Sequence, residues 1–426
     1  MTELALKLVN AHAASRHWLR RLRGFIGPGF LIAVGYMDPG NWATDMAAGS
    51  ALGYSLLWVV LAANIAALFM QYLSAKLGVV TGQDLAQLCR LRSSRLVNLA
   101  NWIGCELAIC ACDLAEVIGS AIALNLLFGL PVVYGVVLTV VDALLVLWLT
   151  QRDMKRLEKL VYVLVGTVAV AFLGELLLAR PDWAAVAAGA MPTLAPLGNS
   201  MGILLAVGIV GATVMPHNLY LHSAIVRAPA GESVKRRATR LGFVTGDLIL
   251  ALMLAFAVNA AMLILAASTF HANGMTQIAT LEDAHRLLQP LLGSALAPVL
   301  FGIALLAAGQ SATLTATLAG QTIMQGFLGW TASATLRRIF TRVIAVAPAL
   351  GAVLMFGEQS LAKLLIFSQV ALSLQLPFAI APLVRFTSNK GLMGAQVNAA
   401  WLSALAWLIV AAIIAGNLVL LWQMLA

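Results

Sequence analysis

Apolar runs long enough to cross a lipid bilayer fill most of this chain, and that pattern rules out a water-soluble fold before any motif is considered. A bilayer core takes roughly twenty residues of helix. Runs of this kind fall at 24–50, 52–80, 96–129, 131–150, 158–178, 198–226, 241–268, 294–329, 336–356, 360–386 and 396–425. Only 10% of residues are charged, where a soluble domain carries about a quarter. The expectation is one all-α integral membrane domain over 1–426 with eleven transmembrane helices. The first run is too long, and too interrupted by Asp38 and Asn41, to be a cleaved signal-peptide core, despite Arg20, Arg21 and Arg23 before it.

Two runs are interrupted by similar sequences, Met37-Asp38-Pro39-Gly40-Asn41 in the first and Val214-Met215-Pro216-His217-Asn218 in the sixth. A proline inside a helix removes a donor and clashes with the carbonyl four residues back, so both helices should break there. Freed carbonyls at membrane depth are tolerated only where they line a site. The lead-ins match as well, Gly29 to Gly35 against Gly202 to Gly208. Two related halves follow: a first repeat over 24–178 and a second over 198–386, with 396–425 as an extra helix.

Positive charge tests the count, because short cytoplasmic loops collect lysine and arginine. With the N-terminus inside, all 26 lysines and arginines fall on inside-facing segments except Arg180, Arg286 and Lys363. The C-terminus then lies outside, and the halves cross the bilayer in opposite directions, a 5+5 inverted repeat whose broken helices point to a binding site. The net charge of +9 follows from this asymmetry and calls for no nucleic-acid partner.

The chemistry should sit at the two breaks. Asp38 is an ionisable group near mid-membrane, which by default marks function, although it could simply cap the broken helix. Asn41 offers an amide oxygen from the same break. In the sixth run Met215 offers a thioether at the position matching Asp38, and Ala212 a carbonyl that Pro216 leaves without a donor. Oxygen with sulfur favours a borderline transition metal over calcium or magnesium.

On the third run Glu106, Asp113 and Glu116 share one helical face, with Arg337, Arg338 and Arg342 of the ninth as available cations. Residue spacing leaves a structural ion-pair ladder and a proton route both open, and leaves His217 open as a packed side chain. Cys89, Cys105, Cys110 and Cys112 form neither a disulfide framework nor a zinc motif. No metalloprotease, nucleophile-elbow or P-loop pattern points to an enzyme. The stretch 269–293 reads as an ordinary external loop.

Asp38-Pro39-Gly40-Asn41, Met215-Pro216-His217-Asn218 with Leu219-Tyr220-Leu221-His222-Ser223, and Gly309 to Thr315 with Ala319-Gly320-Gln321 resemble the natural resistance-associated macrophage protein (Nramp) family. The resemblance spans nearly the whole chain. Ala316, where the family usually has glycine, and Gln325, where an acid is common, are the departures. It implies a proton-coupled importer of divalent transition metals on the inverted-repeat fold of sodium-coupled amino-acid symporters (LeuT-like). The implied metal ligands are Asp38, Asn41, Ala212 and Met215. A tenth-helix glutamine, Gln369 or its rival Gln375, joins them. The implied proton route runs from His217 through Glu106, Asp113, Glu116, Arg337 and Arg338. It also implies no cofactor beyond the transported ions, a bacterial inner-membrane setting and a monomeric unit. The competing readings are an amino-acid symporter on this architecture, which a carboxylate at position 38 disfavours, and a metal-sensing receptor that binds without transport.

Overall fold

The computed structural model describes residues 27–150, 154–276, 280–330, 334–357 and 360–425, with backbone alone for 142–150, 154–159 and 334–339. Its helices are α1 (Pro28–Gly35), α2 (Pro39–Leu52), α3 (Leu57–Thr81), α4 (Leu85–Arg92), α5 (Arg95–Phe128), α6 (Val132–Thr150), α7 (Met154–Ala179) and α8 (Trp183–Gly189). There follow α9 (Ser200–Val214), α10 (Pro216–Ile225), α11 (Val234–Thr269), α12 (Leu281–Leu292), α13 (Leu296–Leu328), α14 (Ala334–Phe356), α15 (Ser360–Thr387), α16 (Lys390–Met393) and α17 (Ala400–Leu425). Within the described residues, each apolar run read from the sequence overlaps a helix or a broken pair. Among the described residues, eight helical stretches are long and apolar enough to cross a bilayer, with Val132–Val141 and Phe340–Phe356 as shorter apolar ones. The chain is a multi-pass, all-helical membrane protein.

Breaks occur where proline demands them. α1 ends at Gly35 and α2 starts at Pro39; α9 ends at Val214 and α10 starts at Pro216. Lipid gives little drive for helices to associate, so close approach at small residues carries the packing. A Cβ on Gly119 of α5 would overlap Pro39, one on Gly211 of α9 would overlap the Gln369 carbonyl of α15, and one on Gly309 of α13 would crowd Ser120 of α5. The two broken pairs are thereby held between α5, α13 and α15. At the periphery, only 28% of the most apolar stretch of α17 is buried, against 72% for α5 and α13.

Three expectations need correction. The stretch 269–293 is not an ordinary loop: Thr280 caps α12, which buries Leu281, Ala284 and Leu288. Too short to span a bilayer, α12 lies outside the membrane pattern. α11 begins at Val234 rather than 241, because Lys235, Arg236, Arg237 and Arg240 continue the helix beyond its apolar part. The last helix starts at Ala400 rather than 396.

Candidate functional site

The first break is organised by Asp38. Its backbone is extended and its Oδ1 accepts from the Asn41 amide N–H at 2.7 Å, capping α2, while Pro39 takes the first helical position. Capping and a functional role coexist, because Oδ1 alone serves the cap. Oδ2 has no hydrogen-bond partner among the described residues, in a fully buried side chain.

One nitrogen ties the breaks together. Asn41 Nδ2 donates to Asp38 Oδ1 at 2.8 Å and to the Ala212 carbonyl at 3.1 Å. That carbonyl lies four residues before Pro216 and so lacks its helical donor. The second break repeats the device: Asn218 Nδ2 contacts Met215 Sδ at 3.4 Å, and the Asn218 amide packs against Gly35 of the first break. Met215 itself sits at φ 34°, a conformation that costs a residue with a Cβ about 1–3 kcal/mol and clusters at functional sites.

Gln369 reaches the same place from α15. A Cβ on Gly40 would overlap its side-chain amide, and Gln369 Oε1 is buried without a hydrogen-bond partner among the described residues. Its rival Gln375 instead donates to Cys105 of α5 at 3.3 Å. Among the described residues no cluster of three or more His, Cys, Asp or Glu could hold a metal. A cation here would meet one carboxylate, amide and backbone oxygens and a thioether, a donor set suited to a passing divalent ion.

The acids of α5 divide. Asp113 and Glu116 are fully buried and Glu106 is only half-buried, accepting from Trp102 Nε1 at 3.0 Å. Glu116 Oε2 lies 3.7 Å from Arg342 Nη1 and accepts from the Thr313 hydroxyl at 2.9 Å. Arg342 Nη2 donates to the same hydroxyl at 2.9 Å, and Nη1 to the Asp113 carbonyl at 3.4 Å. Among the described side chains, Arg342 is the one of the three arginines weighed that meets the Glu116 carboxylate. The side chains of Arg337 and Arg338 lie outside the described residues. His217, at the start of α10, is buried in electrostatic reach of Asp113, with neither ring nitrogen hydrogen-bonded among the described residues.

Sequence reasoning missed the long-range partners. Thr313 lies in the Gly309–Thr315 run, yet nothing local marks it as a bridge between Glu116 and Arg342. Gln71 of α3 donates to the Tyr36 hydroxyl at 2.8 Å and meets His222 Nδ1 at 2.9 Å, and Asn259 of α11 donates to the Tyr36 carbonyl at 2.9 Å. All four side chains are buried around the breaks.

The fold, with its two proline-broken helices packed together, is that of a membrane transporter. The fold is similar to that of MhsT crystallised with L-phenylalanine, at a TM-score of 0.61 and 15% identity, covering 91% of this chain and 98% of that one. Far closer is a manganese transporter from Eremococcus coleocola, at a TM-score of 0.87 and 38% identity over 94% of this chain and 87% of that one. Residues 29–423 match the family described as natural resistance-associated macrophage protein-like, and the chain belongs to that family. It is 52% identical to a divalent metal cation transporter, MntH, of Xanthomonas campestris pv. campestris over 96% of this chain and 92% of that protein. The MntH of Nostoc sp. is 50% identical over 96% and 93%.

Proposed function

We propose that this chain is a proton-coupled secondary importer of divalent transition-metal ions, Mn2+ foremost with Fe2+ and others of its kind, working by alternating access. The observation that carries the reading is the convergence of both breaks: one asparagine nitrogen spans Asp38 and the Ala212 carbonyl while its counterpart in the second break contacts Met215. Asp38, Asn41, Ala212, Met215 and Gln369 hold the ion. Manganese transport by a relative at 38% identity, and divalent metal transport by relatives at about half identity, support the substrate class.

In this reading eleven helices cross a bacterial inner membrane, N-terminus inside and C-terminus outside, as two inverted repeats plus α17, and a monomer suffices. Asp38 binds metal as the carboxylate, and protons leave through His217, Asp113 and Glu116 toward Arg342, with Glu106 further along α5. Arg337 and Arg338 continue the route on α14. An amino-acid symporter is disfavoured because a substrate carboxylate would meet Asp38.

The test is Mn2+ uptake into liposomes holding the purified protein, with a pH dye inside and excess Ca2+ as competitor. Mn2+ accumulation with internal acidification, undiminished by Ca2+, is expected. Binding without accumulation would overturn transport in favour of a sensor, and accumulation without acidification would overturn proton coupling.

A further inference from the structure

Pro377 lies inside α15 and has no N–H, so the carbonyl of Ser373, four residues earlier, lacks a donor in its own helix. In a bilayer such a carbonyl needs a partner from elsewhere. α17 supplies it. Asn417 Nδ2 donates to the Ser373 carbonyl at 2.8 Å, and the Ser373 hydroxyl donates back to Asn417 Oδ1 at 2.8 Å. Both side chains are buried, and every other residue from Ala404 to Trp422 is apolar or glycine. A buried amide on an otherwise apolar, lipid-facing helix is costly unless its bonds are made, and here both are.

The turn so held adjoins the cation site on two sides. Gln369 is one helical turn before Ser373, with its amide against Gly40. Gly211, next to Ala212, packs without a side chain against the Gln369 carbonyl and the Ser373 backbone nitrogen. Any shift of the Ser373 turn therefore moves Gln369 and presses on α9, which carries Ala212 and leads into Met215.

We propose that Asn417 is a positioning residue. From α17, outside both repeats, it replaces the hydrogen bond that Pro377 removes and so fixes the Ser373 turn of α15 at the register that presents Gln369 to the cation. The inference rests on the metal-site reading above.

The experiment measures KM and Vmax of Mn2+ uptake in proteoliposomes for the parent, Asn417→Leu, Pro377→Ala, the double variant and Asp38→Ala. Asn417→Leu should raise KM about tenfold, the scale of one unsatisfied buried polar group, with Vmax held within about twofold. Pro377→Ala returns an N–H to the Ser373 carbonyl, so the double variant should recover to within about threefold of the parent KM. A merely structural role for Asn417 would lower yield and Vmax without this recovery. An unchanged KM in Asn417→Leu, or a double variant as impaired as the single, would overturn the inference. Should Asn417→Leu alone fail to fold, the Pro377→Ala background carries the test: Asn417→Leu should leave KM unaltered there, and a rise of about tenfold would overturn the proposal. A parent without Mn2+ uptake contradicts the transport reading itself. A parent that transports beside an inactive Asp38→Ala leaves that reading standing while Asn417 is judged separately.

Discussion

The two breaks share a plan and differ in what holds them. At the first, Asp38 is an ordinary helix cap in unstrained extended backbone, with one oxygen bound and one free of protein hydrogen bonds among the described residues. At the second, Met215 provides no side-chain cap and sits at positive φ. A carboxylate or asparagine at 215 would satisfy the start of α10 better and tolerate that backbone more readily. The methionine is thus unfavourable for local folding, which is the pattern expected of a residue kept for the ligand role proposed above. On the proposed reading the first break would supply charge and the second softness, and that asymmetry would set the selectivity.

The largest expected effect comes from removing the charge while keeping the cap. Asp38→Asn retains an oxygen able to accept from the Asn41 N–H, so thermal unfolding in detergent should change little while Mn2+ uptake falls about a hundredfold or more. Parent-like uptake would mean that the first break is only architectural. Next comes the support behind that break: Arg342→Met removes from Glu116 the guanidinium 3.7 Å away and should lower stability, with part of the loss regained on adding Glu116→Gln. Equal unfolding temperatures for parent and single variant would remove this pair from the account.

A smaller and more selective effect belongs to the second break. Met215→Ala should keep Mn2+ uptake within about threefold while Ca2+ and Mg2+ compete about tenfold better. Uniform weakening toward all divalent ions would make Met215 a packing residue. The smallest effect lies beyond α10, where Arg240 holds the Glu232 carboxylate below its usual range through bonds of 2.9 and 3.0 Å. A depressed carboxylate stabilises the fold at neutral pH and loses that contribution as pH falls through its lowered value. Glu232→Gln should therefore unfold slightly earlier than the parent at pH 7, with the gap closing in acid. A gap that widens in acid would reverse the sign of the interaction.

The helices and breaks were legible because their causes are local. Runs of bilayer length and a proline in mid-run act whatever surrounds them, and Asp38-Pro39 carries its cap in adjacent residues. Helix α12 was missed although Thr280, Leu281, Ala284 and Leu288 carry a helical pattern, since its twelve residues include Pro290 and fall short of a crossing. Choosing Gln369 over Gln375 depends on how α15 is rotated, and the meeting of Arg342 with Glu116 depends on the depth of α14 against α5. Neither follows from spacing on one helix. The same holds for Thr313, Gln71 and Asn417, whose partners lie far away in sequence.

A single ion in contact with both breaks is what the shared site requires. An anomalous-scattering map from crystals grown with Mn2+ tests this directly. It should show one intramembrane peak in contact with the Asp38 carboxylate, the Ala212 carbonyl and Met215 Sδ. A peak bound to Asp38 alone, or one placed away from both breaks, would contradict the shared site.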